Sequence, residues 1–109
     1  MSVQFSEVRA VRIMCDGVLK NRILDQLIKF GANGYTWWQA HGKGQHETIA
    51  DVYTGLDRIY IEVWCDADVA ENIVAYCQGS QFRGVGMTCG MEALQIHQDE
   101  AAKFKRTAR

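Results

Sequence analysis

Proline is absent from all 109 residues of the chain, and this absence restricts how the turns can be built. Turns must instead rely on glycine, whose backbone reaches positive φ, and on Asn or Asp side chains. The chain also lacks an apolar run long enough to cross a membrane, and its first residues lack the apolar segment of a signal peptide. We therefore expect a cytoplasmic protein without membrane insertion.

The chain has almost no net charge, with 12 Lys and Arg residues against 13 Asp and Glu residues. A formal charge of −1 predicts no general attraction to nucleic acid or to membrane surfaces. Hydrophobic residues make up 48% of the chain, which is enough for a packed core and argues against disorder. The length favours a single domain.

Metal and disulfide chemistry are also not indicated. The four cysteines lie at positions 15, 65, 77 and 89, without C-x-x-C spacing, and we expect buried, reduced thiols. His41 and His46 are five residues apart across a glycine turn, and His97 is distant in the sequence. This spacing matches no standard zinc pattern, so we predict no metal.

Hydrophobic periodicity predicts two similar βαβ halves. Strands are predicted over residues 9–15, 34–41, 58–65 and 89–97, and helices over 18–30 and from Asp66 or Asp68 to about Tyr76 or Cys77. This order predicts an α+β fold, the ferredoxin-like βαββαβ plait, with a four-stranded antiparallel sheet and both helices on one face. Residues 98–109 form a charged tail, interpreted as a frayed helix or a mobile arm.

The sheet face away from the helices is expected to be rich in aromatic residues. It would carry Tyr60, Trp64 and either Trp37 or Trp38, because neighbouring residues of a strand point to opposite faces. Such a face is unfavourable in water, so we expect other subunits to cover it. Glu62, in its middle, then needs a partner or water.

Two glycine loops are candidate anion sites. Gly42-Lys43-Gly44 and Gly84-Val85-Gly86 could each turn backbone N–H groups towards a ligand. The pattern by itself is more typical of a flexible hinge for the first and of an ordinary connecting loop for the second. Neither loop matches a Walker A or dinucleotide fingerprint. We expect the loops to lie far apart in one subunit and to meet across an interface. Arg58 is either a surface arginine or the cation for a carboxylate, carbonate or phosphate.

In this order and spacing, the motifs resemble those of P-II signal-transduction proteins. The matching stretches are residues 31–36 (GANGYT), 42–44, 56–58 and 84–86, and the resemblance covers residues 9–97. It implies that residues 1–97 form a PII-like domain, with a T-loop at about 42–57 and a B-loop at about 81–88. It also implies a homotrimer whose lateral clefts bind adenine nucleotides.

The resemblance places Thr36 near the adenine and both glycine loops around the nucleotide. Met87 stands where the family has a phosphate-binding lysine, and Gln98 and Glu100 stand where it has arginines. These departures favour ADP or AMP over a triphosphate. The implied nucleotide-binding residues are Thr36, Gly42, Lys43, Gly44, Gly84, Val85, Gly86, Met87 and Thr88.

Residues 34–44 most resemble the carboxysome-associated branch of the family, which binds adenine nucleotide and bicarbonate. The resemblance implies a non-enzymatic sensor of inorganic carbon and energy state. T-loop order would then control an unidentified partner, such as a bicarbonate transporter or a carboxysome-related protein. Slow nucleotide hydrolysis, and sensing of a metal or another small effector, are the alternatives. The implied bicarbonate or effector residues are Gly42, Lys43, Gly44, Gln45, His46 and Arg58.

Overall fold

The computed structural model describes residues 2–40 and 58–105. This part of the chain contains no helix of the length and apolar character needed to cross a membrane. The main elements follow the predicted β-α-β-β-α-β order. They are β1 (Phe5–Asp16), α1 (Lys20–Lys29), β2 (Thr36–Ala40), β3 (Arg58–Cys65), α2 (Ala67–Cys77) and β4 (Thr88–His97), with a short helix α3 (Gln98–Ala101) and a 3₁₀ turn (Ala102–Phe104) at the end.

The four strands form one antiparallel sheet in the order β2-β3-β1-β4. The central strands β1 and β3 pair along eight positions, from Arg9 opposite Cys65 to Asp16 opposite Arg58. The two halves of the sequence thus interleave in space, as the ferredoxin-like plait requires. The predicted fold class is confirmed.

The hydrophobic core lies between one face of the sheet and helices α1 and α2. In β3 the side chains alternate, with Ile59, Ile61 and Val63 buried and their neighbours half-buried on the other face. Burial of a branched aliphatic side chain stabilises the fold by about 1.5–3 kcal/mol. The helices contribute the buried residues Ile23, Leu24, Leu27, Val69, Ala70, Ile73 and Cys77.

Both helices have identifiable end signals. Helix α1 is followed by Gly31, whose φ of 99° is readily adopted by glycine, and the Ala32 N–H donates to the Leu27 carbonyl at 3.1 Å. This is a Schellman ending, and it confirms the predicted C′ glycine. Helix α2 begins after Asp66, whose side chain accepts a hydrogen bond from the Val69 N–H at 2.9 Å. Asp66, rather than the alternative Asp68, is therefore the N-cap residue of α2.

The predicted element bounds need correction, mostly at the ends. Strand β1 begins at Phe5 rather than at residue 9, because its first residues pair with the end of β4 despite weak local alternation. Strand β2 begins at Thr36 rather than at residue 34, α1 begins at Lys20 after a 3₁₀ turn, and β4 begins at Thr88. Residues 98–104 form the short helix α3 and a 3₁₀ turn, so of the two predicted alternatives, a frayed helix and a mobile arm, the helical one is nearer to the structure. They fold back onto the sheet, with the Gln98 N–H donating to the Gln4 carbonyl at 3.0 Å.

The sheet face opposite the core, here called the open face, carries the aromatic residues predicted for it. Trp38 stacks on Tyr60 with ring centroids 4.5 Å apart, so Trp38 is the tryptophan on this face. Trp37 lies on the helix side, where the Lys20 ammonium sits 3.9 Å from the centre of its ring. The sequence pattern left this choice open, and the strand register decides it.

Candidate functional site

A pocket opens on the open face where the C-terminal segment folds over β2 and β3. Its volume is about 340 Å³, which lies in the range of about 300–1,000 Å³ typical of small-molecule sites. Three of its six lining residues are aromatic, and Thr36 and Glu62 provide a hydroxyl and a carboxylate. The lining residues are Gly34, Tyr35, Thr36, Glu62, Trp64 and Phe104.

Strand pairing brings these side chains together. Thr36, the first residue of β2, lies opposite Glu62 of β3, and Trp64 follows on the same face of β3. The structure therefore places Thr36, a predicted nucleotide residue, in the pocket. Glu62 and Trp64 were not predicted as site residues, although their period-two spacing marks them as neighbours. Phe104 had no local signal, because only the fold-back of the C-terminal segment brings it here.

The carboxylate of Glu62 is held by two donors. Arg12 Nε donates to its Oε1 at 2.9 Å, and Trp64 Nε1 donates to its Oε2 at 3.1 Å. Arg12 also pairs with Glu92 at 2.5 Å, and hydrogen bonds to Glu62 and Glu92 raise the pKa of Arg12. Glu62 thus finds within its own chain the partner that the sequence predicted it to need. Its oxygens can accept further hydrogen bonds from ligand O–H or N–H groups.

A second group of candidate residues meets at the opposite end of β3. Arg58 is paired with Asp16 of β1 and with Ala40 of β2. A side chain at Gly86 would overlap the Arg58 guanidinium, and its Cβ would lie 3.4 Å from Asp16 Oδ1. Glycine at this position therefore lets the loop before β4 lie against Arg58. The sequence did not predict this contact between Arg58 and Gly86 within one chain. The predicted meeting of the two glycine loops across an interface stays a prediction, because residues 42–44 lie outside the described residues.

The loop before β4 presents backbone rather than side chains. Gly84 has a φ of 78°, and the Met87 N–H donates to the Val85 carbonyl at 2.8 Å, which makes a tight turn. The side chains of Val85 and Met87 pack against the core. A ligand at this loop would therefore meet main-chain groups, the two glycines and the exposed Thr88.

The remaining predicted residues Gly42, Lys43, Gly44, Gln45 and His46 lie outside the described residues. Among residues 2–40 and 58–105, no three His, Cys, Asp or Glu side chains are grouped so that they could hold a metal ion. His97 instead caps α3, since its Nδ1 accepts a hydrogen bond from the Asp99 N–H at 3.1 Å.

Three of the four thiols are buried, as predicted, and Cys89 is half-buried. Burial raises the pKa of Cys15 to about 11 and that of Cys65 to about 12. A hydrogen bond between Cys77 and Cys89, together with burial, raises the pKa of Cys77, while the same hydrogen bond lowers the pKa of Cys89. Of the four cysteines, Cys89 therefore forms the reactive thiolate most readily.

Residues 8–100, most of the chain, match the model of a protein family described as "Nitrogen regulatory protein P-II". The chain belongs to the P-II family. This P-II protein has no match among the curated proteins. The family match agrees with the fold, since the matched residues include both helices, both glycine loops and all of the sheet except the first three residues of β1.

Solved structures resemble this P-II protein over nearly its whole length. One is CPII, a nitrogen regulatory PII-like protein from Thiomonas intermedia K12, bound to ADP, AMP and bicarbonate. The two structures superpose with a TM-score of 0.78 at 18% sequence identity, and the match covers 96% of this chain and 100% of that chain. Another is a protein of Thermus thermophilus described as PII-like, with a TM-score of 0.72 and 24% sequence identity. That match covers 89% of this chain and 96% of the Thermus thermophilus chain. GlnK of Bacillus subtilis, in complex with ATP, is similar at TM-score 0.51 and 14% identity, with 79% and 82% coverage. At these identities the likeness establishes the fold.

Proposed function

We propose that this P-II protein is a regulatory sensor that binds ADP or AMP in clefts between the subunits of a homotrimer, with bicarbonate at a second position. The open-face pocket carries the proposal, because it combines aromatic walls with Thr36 and an oriented Glu62 carboxylate. The similar CPII from Thiomonas intermedia K12, bound to ADP, AMP and bicarbonate, supports this choice of ligands.

Trimer formation is proposed because the open face carries large side chains that are unfavourable in water. In the single chain Met14 is 45% exposed and Trp38 is 44% exposed on this face. Packing against other subunits would remove that apolar surface from water, and each Å² buried would stabilise the trimer by about 25 cal/mol. It would also enclose the side of the pocket that is open in one chain.

In the proposed complex, the base and ribose of the nucleotide occupy the pocket. The Glu62 carboxylate accepts hydrogen bonds from the ribose hydroxyls, and the phosphates point towards the glycine loop of a neighbouring subunit. The chain's own glycine loop lies against Arg58, four residues along β3 from Glu62, which corresponds to about 13 Å. A neighbouring subunit is therefore the better source of the phosphate-binding backbone, including Gly84, Gly86 and Thr88.

Bicarbonate is assigned to the end of β3 marked by Arg58. A planar guanidinium matches a planar carboxylate-like anion with two parallel hydrogen bonds. Gly86 leaves the guanidinium uncovered by a side chain from the loop. The sequence adds Gly42, Lys43, Gly44, Gln45 and His46, which precede Arg58 along the chain, as further ligands in this proposal.

The regulatory output is assigned to residues 42–57, the T-loop of the proposal. Occupancy of both ligand positions would change the order of this loop and so control a cytoplasmic partner in carbon assimilation, a bicarbonate transporter or a carboxysome-related protein. Such control requires ligands to favour one loop state over the other, and each tenfold shift requires about 1.4 kcal/mol. The role is regulatory rather than enzymatic.

Calorimetry tests the proposal directly. ADP and AMP are titrated into the protein in bicarbonate and in chloride at equal ionic strength and pH, and we expect tighter nucleotide binding in bicarbonate. Equal affinities in the two salts would contradict the coupling, and the absence of nucleotide binding would contradict the sensor itself. Phosphate release in the same mixtures, abolished by substitution at His46, would indicate a hydrolase instead.

A further inference from the structure

The last described residues form one wall of the open-face pocket, although they lie beyond the family match. The match ends at residue 100, and the half-buried ring of Phe104 follows four residues later. This ring lines the pocket together with the indole of Trp64. The wall of the site thus includes a feature that the family match does not cover.

The chain holds Phe104 in place from both sides. The side-chain amide of Asn33 donates one hydrogen bond to the Lys103 carbonyl at 2.9 Å and another to the Lys105 carbonyl at 2.5 Å. Asn33 lies just before β2, the strand that supplies Thr36 to the pocket. The amide therefore ties the C-terminal segment to the stretch of chain that supplies Gly34, Tyr35 and Thr36 to the same pocket.

The rings of Phe104 and Trp64 meet as two sides of a corner. Their centroids are 5.4 Å apart, and their planes are inclined at 58°. Rings in direct contact at this angle cannot admit a base between them, but a base can lie in the corner, stacked on one ring and touching the edge of the other. The neighbouring Lys103 ammonium is paired with Glu100 at 2.5 Å. Of these two neighbouring side chains, Phe104 lines the pocket and Lys103 forms an ion pair with Glu100.

We propose that Phe104 binds the base of the nucleotide and gives the site its preference for a purine, with Asn33 as the residue that positions it. The inference rests on the proposed nucleotide function of the same pocket. A purine has two fused rings and offers more stacking area than a pyrimidine, so a ring in the corner discriminates between them. Phosphate contacts, which every nucleotide shares, contribute nothing to this discrimination.

The experiment compares ADP with UDP in the wild type and in Phe104→Ala, Phe104→Leu and Phe104→Trp, by calorimetry on the full chain. Loss of the ring in the Ala and Leu variants should weaken ADP binding by about 10-fold or more and change UDP binding much less. The Trp variant should keep the preference for ADP. Asn33→Ala should give an intermediate loss, because the ring stays but is held less firmly. Phe5→Ala, which removes an exposed ring that does not line the pocket, is the matched control.

Equal ADP affinity in the wild type and Phe104→Ala would overturn the inference. Tighter ADP binding in that variant would also overturn it, because it would mean that the ring plugs the pocket. If the Ala variant unfolds, the Leu and Trp variants decide, since both keep a large apolar side chain. The wild-type titration separates the two claims. Wild-type ADP binding without a Phe104 effect removes only the role of Phe104, whereas no wild-type binding removes the proposed function as well.

Discussion

The guanidinium of Arg58 occupies the space that a side chain at Gly86 would need. Arg58 opens β3, and Gly86 lies in the loop before β4, so the contact joins segments that are distant along the chain. It lies at the end of the sheet where β2 finishes, because Ala40 is paired with Arg58. The contact therefore gives the loop before β4 a direct connection to the proposed bicarbonate position.

Replacing Gly86 with alanine should displace Arg58 without unfolding the protein. The new methyl group meets the end of a flexible side chain, so the free energy of unfolding should fall by less than about 1 kcal/mol. Tightening of ADP binding by bicarbonate should weaken or disappear. Urea unfolding and calorimetry measure the two effects.

A double-mutant cycle identifies the cause. In an Arg58→Ala background, Gly86→Ala should have no additional effect on the bicarbonate dependence, because the guanidinium is already absent. Additive losses from the two substitutions would show that Gly86 acts independently of Arg58.

Gly84 should be the more sensitive glycine for stability. Its φ of 78° lies in the left-handed region, where a side chain costs about 1–2 kcal/mol. Gly84→Ala should lower the free energy of unfolding by about that amount in urea titrations. Gly34→Ala is the control, because its new Cβ would meet no atom within 4 Å and its φ is not positive. Equal losses in the two variants would contradict the backbone explanation.

Trp37 and Trp38 provide a matched test of trimer formation. They are adjacent and similarly exposed, at 39% and 44%, but they point to opposite faces of the sheet. Trp38→Asp places a charge on the open face and should shift the trimer towards monomer, whereas Trp37→Asp should leave it intact. Light scattering on a sizing column measures the mass. Trimers of both variants, or loss of the trimer in both, would argue against the open face as the interface.

The cysteines should differ in reactivity. Alkylation requires the thiolate, and the lowered pKa and partial exposure of Cys89 make it the first site to react with iodoacetamide near neutral pH. Cys77→Ala should slow that reaction, because the hydrogen bond that lowers the pKa of Cys89 is lost. Peptide mass spectrometry locates the label. Labelling of Cys15 or Cys65 as fast as that of Cys89 would contradict the assignment.

The buried thiols also predict how stability changes at alkaline pH. Because the folded pKa of Cys15 is raised from 9.0 to about 11, the unfolded chain loses this proton at lower pH than the folded chain does. The contribution of this thiol is complete below about pH 9 and declines as the pH rises towards 11. Cys15→Ala should flatten the fall in unfolding temperature over that interval. An unchanged slope would mean that other groups dominate.

The sequence predicts the fold well because the signals lie in the local pattern. Alternation in β3 and helical spacing in α1 identify these elements directly, and Gly31 marks a helix end through its required backbone conformation. The start of β1 at Phe5 was missed, because pairing with β4 rather than local alternation holds those residues. The choice between Trp37 and Trp38 likewise required the register.

The candidate site was less predictable, because most of it is assembled by contacts distant in sequence. Thr36 was predicted through the family resemblance, and it lies in the pocket. Phe104 and the contact between Arg58 and Gly86 depend on the fold-back of one segment and the path of one loop. No spacing along the chain reports either feature, so sequence reasoning could not have found them.

The measurement that tests the central claim most directly is reciprocal calorimetry of ADP and bicarbonate on the wild-type protein. Because linkage is symmetric, bicarbonate should tighten ADP binding by the same factor by which ADP tightens bicarbonate binding. We predict equal factors above one in both directions, measured at one pH and ionic strength. An ADP affinity that is identical in bicarbonate and in chloride would contradict the account.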